Sequence, residues 1–431
     1  MADLTNHFNR VNELLNDWDG VGLSHELSMT ELIISYLNSI NHNSHSGMSN
    51  QKKQHIQAKV NQIKKIDIVV KRQQDIDTLC TNKIQHNYNE IVAYRLRSIS
   101  SLLDSKYYDA FRYLIEAINS FVKVFELWSQ DILWRLSLDL RLMAELATLN
   151  GGNDNNNNNN NNNVTIDYFE EASRTLLSKC FQAANADRTA NLAESKKNAA
   201  LGVVNQLFQI YFKINNLKLC KNLIKTMESP GFPALESYPL NQVITYRFFN
   251  GRLSVFNGQY KKAQEELLYA FNKCPSDSIK NKRLILLFLV PMQLEQCKFP
   301  KKSLLEKYKL TQFIDIVQSI KSGNIKQFNE CLATHQNFFI SKGIYLILEK
   351  LKIIVYRNLF KKVHLITTGQ RIPIGNFVSA LKWMENDAID IDETECILSN
   401  LIFNGYLKGY ISHKVALVVS PTNPFPKLPL N

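Results

Sequence analysis

Apolar residues recur at three- and four-residue spacing over most of the chain. Ile63, Ile66 and Val70 show this spacing, and it returns between Leu96 and Leu103. Because the spacing matches the turn of a helix, each such segment has an apolar face that must pack against another element. We predict N-terminal helical repeats over residues 1–150 and further helical repeats over residues 164–366.

One pair of helices carries a repeat-type pattern. It consists of small, apolar and helix-stopping residues at relative positions 0, 7, 9, 12, 16, 19 and 24, namely Gly251, Gly258, Tyr260, Ala263, Leu267, Ala270 and Pro275. This spacing is close to that of a tetratricopeptide (TPR) hairpin. Small residues let two helices approach closely and a proline stops the second one, so the pattern predicts an antiparallel helical hairpin.

Weaker copies of the pattern occur at irregular separations. They are Tyr107, Ala110, Leu114 and Ala117, then Leu217, Cys220, Ile224 and Met227, and finally Ile325, Phe328 and Leu332. Their irregular separations predict divergent helical pairs without a fixed period, each burying one face on its neighbours.

Three more helices are predicted in the second half of the chain, over Leu304–Ser319, Lys326–His335 and Tyr345–Val363. The turn between the first two carries the helix-stop residue Gly323. On the last helix, three cations at i, i+7 and i+11 would fall within about 40° of one another on a single stripe. These cations are Lys350, Arg357 and Lys361.

The apolar period changes after Thr367. Leu407–Ile411 and Ala416–Val419 alternate with period two, which is typical of strands, and residues 412–414 join them. Arg371–Ile374 is a shorter strand, and its Pro373 is tolerated at the edge of a sheet.

Two short helices are predicted between these strands. Asn376 is expected to cap a helix over Phe377–Met384. Asp392 and Glu395 form a capping-box-like start for the next helix, which ends at Gly405. The order strand, helix, helix, strand, turn, strand predicts a winged helix over residues 367–426. The expected fold class is therefore mainly α, a right-handed superhelix of TPR-like hairpins that ends in a winged-helix module.

Two polar segments interrupt the helices. Residues 151–163 are almost pure asparagine and offer no apolar face, so we expect a disordered loop there. Asn41–Asn50 is a second polar loop. Its His42 and His45 lack cysteine or carboxylate neighbours, which favours solvent-exposed histidines over metal ligands.

The positive charge of the chain is concentrated in one segment. Lys273–His364 contains 17 Lys and Arg against 6 Asp and Glu, so this segment carries +11 of the total formal charge of +12. A local excess of this size indicates an acidic protein or a nucleic acid as a partner. A solvated lysine-rich surface is equally compatible with the count.

The sequence offers no motif of catalysis, metal binding or membrane insertion. There is no GxxxxGK, GxGxxG, GxSxG or HExxH pattern, and the seven cysteines are scattered without a CxxC pair. The longest apolar run, Leu284–Val290, is far shorter than the roughly 20 residues of a membrane helix. We expect an intracellular protein with buried, reduced thiols, no catalytic residues, no metal, no cofactor, no small-molecule substrate and no membrane contact.

Several segments of the C-terminal half resemble one protein family. They are Gly343–Leu351, Tyr356–Val363, Arg371–Pro373, Asn404–His413 and Asn423–Pro426. They are similar to the PCI-domain subunit of the second TREX mRNA-export complex, the Thp-type or signalosome-subunit-twelve-like family. The resemblance covers residues 240–426 and places the PCI domain from about residue 240 onward.

The resemblance implies a non-enzymatic scaffold subunit in the nucleus and at nuclear pores, with the cytoplasm as a second location. It implies pairing with a Sac/GANP-type scaffold and with a small acidic protein of the DSS type. Winged helices of the two large subunits would lie side by side and bind RNA, and DNA as a second class, without sequence preference. The alternative is a PCI scaffold of a signalosome-like or proteasome-lid-like assembly that has no nucleic-acid contact.

Two sets of cations are the candidate site residues. The candidate nucleic-acid-binding residues are Lys350, Arg357, Lys361, Lys362, Arg371, Lys408, His413 and Lys414. The candidate acidic-partner-binding residues are Lys298, Lys301, Lys302, Lys307 and Lys309. Residues 392–395 (Asp-Glu-Thr-Glu) open the second helix of the winged module and would repel phosphates there. We therefore expect phosphate contacts at the stripe and at the wing, which is the turn of residues 412–414 between the two strands.

Overall fold

A computed structural model of the chain describes residues 2–40, 50–70, 76–84, 87–150, 167–384 and 389–428. The asparagine segment 151–163 and the histidines His42 and His45 lie outside the described residues, so the expectations about them stay predictions. The chain divides into two compact units, Met1–Tyr246 and Arg247–Asn431. Helices dominate both units, and a small sheet lies near the C-terminus, as the mainly α fold class predicts.

The first unit consists of helices that pack mostly on their sequence neighbours. Their bounds are α1 (Ala2–Asn16), α2 (Gly20–Glu26), α3 (Thr30–Ile40), α4 (Asn50–Val70), α5 (Ile76–Lys83), α6 (Asn89–Leu103), α7 (Tyr107–Val124), α8 (Gln130–Asn150), α9 (Tyr168–Thr175), α10 (Gln182–Asn185), α11 (Ala200–Lys213) and α12 (Leu217–Met227). Ala110, Leu114 and Ala117 of α7 are fully buried. Ser98 of α6 donates a hydrogen bond to the carbonyl of Ala110 over 2.7 Å. This contact confirms that the first weak copy of the repeat pattern is the buried face of a hairpin.

The helices of the second half begin with α13, which contains the boundary between the units. Their bounds are α13 (Leu240–Phe256), α14 (Tyr260–Lys273), α15 (Ile279–Glu295), α16 (Lys302–Lys307), α17 (Gln312–Ser322), α18 (Ile325–Thr334), α19 (Gln336–Lys342), α20 (Tyr345–Lys350) and α21 (Lys352–Thr367). Gly323 ends α17 with a positive φ of 65°, and the side chain of Asn324 caps α18.

The TPR-like hairpin predicted from the spacing is formed by α13 and α14. A Cβ atom on Gly251 would lie 2.8 Å from Cγ of Leu267, so only glycine fits this contact without a shift. Ala263, Leu267 and Ala270 are fully buried. The second helix ends at Lys273, just before Pro275.

Two of the predicted continuous helices are wrong, because each is interrupted. Leu304–Ser319 is divided into α16 and α17, since Lys309 adopts a φ of 52° and Leu310 N donates to the Leu305 carbonyl. A positive φ followed by this backbone hydrogen bond is the pattern that usually ends a helix at a glycine. Here the buried side chain of Leu310 stabilises the same helix end without a glycine. Tyr345–Val363 is divided at Leu351, whose backbone bonds three residues back to Leu348.

The winged helix follows α21 in the predicted order. It comprises β1 (Arg371–Pro373), α22 (Ile374–Met384), α23 (Ile391–Phe403), β2 (Gly409–Ser412) and β3 (Ala416–Val419). The antiparallel sheet has the order β1-β3-β2, with Ile372 opposite Leu417 and Ile411 opposite the same residue. Pro373 therefore lies in an edge strand, as expected. Phe360, Phe377 and Leu398 form the centre of a core that the sheet and three helices share.

Three local details of the winged helix differ from the prediction. Helix α22 already begins at Ile374, so Asn376 lies inside it and does not cap it. Asp390, and not Asp392, caps α23 by accepting a hydrogen bond from the backbone N–H of Glu393. Strand β2 starts two residues late, because the Lys408 N–H bonds to the Pro424 carbonyl instead of joining the sheet.

Among the described helices, none combines the length and the apolar composition needed to cross a membrane.

Candidate functional site

Four of the predicted cations lie on the open surface of the winged-helix module or of helix α21, which precedes it. Lys361 and Lys362 belong to the second half of α21, Arg371 opens β1, and Lys408 precedes β2. All four side chains are exposed. None of the four forms an ion pair with another described residue, so their charges are available to a phosphate or a carboxylate.

The two candidate cations of the wing, unlike the four above, contact carboxylates of α23. His413 and Lys414 are exposed, but Glu395 of α23 binds both of them: its Oε2 lies 2.8 Å from His413 Nδ1, and its Oε1 accepts the Lys414 N–H over 2.6 Å. Lys414 Nζ also lies 3.7 Å from Oδ1 of Asp392. The hydrogen bond from the Lys414 backbone, with help from His413, lowers the pKa of Glu395.

These contacts change the interpretation of the wing. The acidic start of α23 was expected to repel phosphates, and it also neutralises the two wing cations in part. The sheet and α23 are thereby joined at the tip of the module, so His413 and Lys414 do not simply project into solvent. Compared with Arg371 and Lys408, they are weaker candidates for phosphate contact.

Arg357 is buried and hydrogen-bonded to the C-terminal tail, which the sequence pattern did not indicate. Its side chain is only 6% exposed, and its Nη2 donates to the carbonyls of Phe425 and Pro426 over 3.2 and 2.6 Å. Its Nη1 donates to Oδ1 of Asn358 over 2.8 Å, and burial lowers the pKa of the guanidinium. Arg357 thus holds the C-terminal tail against α21 and is not open to a phosphate.

The predicted stripe of three cations is therefore wrong. Lys350 ends α20, before the interruption at Leu351, and its Nζ lies 3.3 Å from the hydroxyl of Tyr260 and 5.6 Å from the centre of that ring. Lys361 is the one member on the open face of α21. The spacing argument failed because it assumed one straight helix and because the C-terminal tail packs over Arg357.

The five lysines predicted to bind an acidic partner form a compact feature of the second unit. We call residues 298–309 the basic turn, since they run from the end of α15 through α16. Each of its lysines is exposed. Lys302 forms a long i,i+4 ion pair with Glu306 at 3.8 Å, and Lys307 lies over the Tyr308 ring at 5.5 Å. An exposed i,i+4 pair stabilises little, so nearly all of this charge is free to meet an acidic chain.

Sequence reasoning missed a set of exposed aromatic residues on the winged helix. Trp383 at the end of α22 is 84% exposed, Phe403 at the end of α23 is 89% exposed, and Tyr410 of β2 is 64% exposed. Large aromatic side chains in contact with water are typical of protein interfaces, where they supply much of the binding energy. Trp383 and Phe403 fall outside the apolar period of their helices, and that mismatch was the available signal.

The thiols and the possible metal ligands of the described residues do not form a recognisable site. All seven cysteines are free, four of them are buried, and burial raises the pKa of Cys80 and of Cys180 to about 12. Cys396 on α23 is exposed, contrary to the expectation of buried thiols throughout. Within the described ranges no three His, Cys, Asp or Glu side chains are grouped as metal ligands would be.

Comparison with known proteins shows which family the chain resembles. A family profile of the PCI domain matches residues 332–421, which include most of the elements from α18 to α23 and the sheet. The chain is 95% identical to a PCI domain-containing protein 2 homolog of Dictyostelium discoideum over the full length of both. It is 41% identical to PCI domain-containing protein 2 of Xenopus laevis, over 81% of this chain and 87% of the relative. It is 32% identical to Enhanced ethylene response protein 5 of Arabidopsis thaliana, over 79% of this chain and 81% of the relative.

Proposed function

This chain belongs to the family of PCI domain-containing protein 2, and we propose that it is a non-enzymatic scaffold subunit of a nuclear complex that couples transcription to mRNA export. Its place of action is the nucleus and the nuclear pore. The proposal rests on one observation, the exposed cations and exposed aromatic residues that the winged-helix module presents together. A scaffold needs both a protein-binding and a nucleic-acid-binding surface, and this module offers both kinds of side chain.

The large partner is a second PCI-associated scaffold of the Sac/GANP type. Trp383 and Phe403 support this part of the proposal, because burying two aromatic side chains against a partner contributes several kcal/mol to affinity, roughly 2 kcal/mol or more for each. Replacing both with serine should abolish co-purification with that scaffold while the chain keeps its melting temperature. Replacing Leu149 and Leu240, two exposed leucines of other helices, with serine is the matched control.

The small partner is an acidic protein of the DSS type on the basic turn. Changing its five lysines to glutamate should prevent co-purification and remove the gain in thermal stability that a bound partner supplies. Equal co-purification of this variant and the wild type would contradict the electrostatic part of the proposal. Reversal of exposed lysines in the first unit provides the control, at Lys179, Lys218, Lys221 and Lys225.

Nucleic acid binds the open cations of α21 and of the winged helix without reading bases. Changing Lys361, Lys362, Arg371 and Lys408 to glutamate should weaken RNA and DNA alike in the assembled complex. The slope of log affinity against log salt should flatten by about 0.7 to 0.9 for each phosphate that the variant no longer binds. Charge reversal at the four lysines of the first unit should leave the slope unchanged.

The contacts of the wing with α23 favour a second candidate function, a scaffold without nucleic-acid binding. Because Glu395 and Asp392 hold His413 and Lys414, the tip of the module is partly neutral, which suits contact with another subunit better than contact with phosphate. In that case the protein is a scaffold of a signalosome-like or lid-like assembly without nucleic acid. An unchanged salt slope in the fourfold variant, with the complex still assembled, would select this function and reject the first.

A further inference from the structure

The sheet of the winged helix has one face in the core and one face in solvent. On the core side, Ile372, Leu417 and Ile411 stand directly opposite one another and pack into the core of the module. Side chains alternate between the two faces of a strand, so the neighbouring row of residues points away from the core. That outer row has one residue from each strand, namely Arg371 of β1, Val418 of β3 and Tyr410 of β2.

Tyr410 is the aromatic residue of the outer row. Its side chain is 64% exposed. Val418 stands directly opposite it and is half-buried, so it offers an apolar surface beside the ring. Among the described residues, no other aromatic ring packs against that of Tyr410. Much of the ring is therefore open to a planar group from another molecule.

Two cations lie on the same face of the sheet as Tyr410. Arg371 is in the same row, two strand spacings away, which puts about 10 Å between the two Cα atoms. Lys408 comes two residues before Tyr410, and the Ser420 N–H donates to its carbonyl over 2.9 Å. This bond continues the register of β2 and β3. Because residues two apart in an extended segment share a face, Lys408 lies on the outer face beside Tyr410.

The charges of Arg371 and Lys408 are not engaged within the described part of the chain. Both side chains are exposed, and neither forms an ion pair with another described residue. The carboxylates of α23 that contact the hairpin, Glu395 and Asp392, bind its turn at residues 413 and 414 instead. The outer face of the sheet thus combines an open aromatic ring with two unpaired cations.

We propose that this face binds single-stranded nucleic acid, with the ring of Tyr410 stacked on a base and with Arg371 and Lys408 on the flanking phosphates. The inference rests on the proposed nucleic-acid binding and adds the class of nucleic acid to it. In a duplex the bases are paired and stacked on one another, so the ring cannot reach their flat faces, whereas a single strand exposes them. Stacking tolerates any sequence, because every base has a flat face.

The test is equilibrium binding of labelled oligonucleotides to the full chain, alone and in the assembled complex. The probes are a single strand of about 12 nucleotides, a length within the range that single-strand-binding domains cover, its duplex, and an abasic single strand with the same number of phosphates. The wild type should bind the single strand at least about fivefold more tightly than the abasic strand, which is the lower limit for one stacked base.

The variants separate the ring from the charges. Tyr410→Thr keeps a residue that favours strands and removes the ring. It should weaken binding of the single strand at least about fivefold and leave the duplex, the abasic strand and the salt slope unchanged, whereas Tyr410→Trp should keep the tight binding. Arg371→Gln combined with Lys408→Gln should weaken all three probes and flatten the single-strand salt slope by about 1.4, or about 0.7 for each phosphate. Tyr108→Thr, the same change at an exposed tyrosine of α7, is the control and should alter none of these values.

The outcomes also separate this inference from the proposed function. Absence of binding to all three probes would reject the proposed function and this inference with it. Equal binding of the single strand and the abasic strand by the wild type, or an undiminished affinity of Tyr410→Thr, would overturn the stacking alone and leave the phosphate contacts in place. If Tyr410→Thr instead lost co-purification with the large scaffold while its binding of nucleic acid stayed unchanged, the ring would belong to a protein contact.

Discussion

Two arginines are buried among the residues that the structure describes, one in each unit, and their surroundings differ sharply. Arg357 is 6% exposed and Arg95 is 3% exposed. The Nη atoms of Arg357 bond to two backbone carbonyls and one side-chain amide, so this arginine joins α21 to the C-terminal tail. The Nε and Nη1 atoms of Arg95 have no hydrogen-bond partner, and Arg95 is attracted through space by Asp139, Glu26 and Glu31. The Nε atom of Arg357 is also without a partner, so the two arginines differ at their Nη atoms.

The difference separates an arginine that hydrogen bonds hold in place from one that is held mainly by the attraction of nearby carboxylates. Both are almost equally hidden, so burial alone does not distinguish them. The partners do, because a substitution at Arg357 would lose three hydrogen bonds, whereas the Nε and Nη1 atoms of Arg95 have none to lose. The four predictions below test this distinction, beginning with the largest effect.

Arg357→Met should cause the largest loss of stability. The change removes three hydrogen bonds from a charged donor and leaves the carbonyls of Phe425 and Pro426 without one, which costs about 3 kcal/mol of unfolding free energy. Urea unfolding of the full chain measures it. Arg371→Met, at an exposed arginine of β1, is the control and should change stability by less than about 0.5 kcal/mol. Similar losses in the two variants would show that the tail contact contributes nothing.

Glu26→Gln should produce an intermediate, pH-dependent effect near Arg95. The hydrogen bond from His7 lowers the pKa of Glu26 below its ordinary value of 4.5. A lowered carboxyl pKa contributes stability above the unfolded value and loses it as pH falls through the folded value. At neutral pH the variant should lose about 1 to 2 kcal/mol, the range for a hydrogen bond to a charged group.

The difference between wild type and Glu26→Gln should disappear as the pH falls below 4.5 and through the lowered pKa of Glu26. Paired urea titrations from neutral pH downward measure this convergence. The acceptors of Arg357 are carbonyl and amide oxygens, so the loss caused by Arg357→Met should stay constant over the same pH range. A constant difference for Glu26→Gln as well would mean that its charge is not involved.

Much of the fold around these arginines could be predicted from the sequence. The α13 and α14 hairpin, the edge strand with Pro373 and strand β3 follow from periods and turn residues that act over a few neighbouring positions. The order of strands and helices in the winged helix could be predicted from the same local signals. Such local signals are enough to predict the fold class and the location of the exposed lysines.

The state of the candidate site residues depends on contacts between distant residues, which the spacing of apolar residues does not predict. Arg357 meets Phe425 and Pro426 at separations of 68 and 69 residues, and Glu395 meets the wing at separations of 18 and 19. The interruption at Leu351 occurs without glycine or proline, so the sequence predicted one helix and a stripe that does not exist. The unpaired donors of Arg95 become visible only once the helices of the first unit are packed together.

Arg95→Met should change stability less than Arg357→Met, although the residue is more deeply buried. The Nε and Nη1 atoms of Arg95 have no hydrogen bond to lose, and Asp139 keeps its two donors from Met29 and Thr30. We expect a change within about 1 kcal/mol of wild type, because the cost of keeping this charge away from water disappears together with its attraction to nearby carboxylates. Urea unfolding under the conditions used for Arg357→Met makes the two comparable. A loss as large as that of Arg357→Met would erase the distinction between the two arginines.

Lys414→Met should have the smallest effect and shows what an exposed cation contributes. Its Nζ forms one solvent-exposed ion pair with Asp392 at 3.7 Å, and such pairs contribute about 0 to 1 kcal/mol. The substitution leaves the backbone N–H of residue 414 in place, so the hydrogen bond to Glu395 persists. We expect a change below about 0.5 kcal/mol in low salt, and none in roughly 1 M salt, where the charges are screened. Glu395→Gln is the matched comparison, because it weakens the acceptor of both His413 and Lys414 and should cost more than Lys414→Met. If Lys414→Met proved the more damaging change, the side-chain ion pair and not the Glu395 bonds would join the wing to α23.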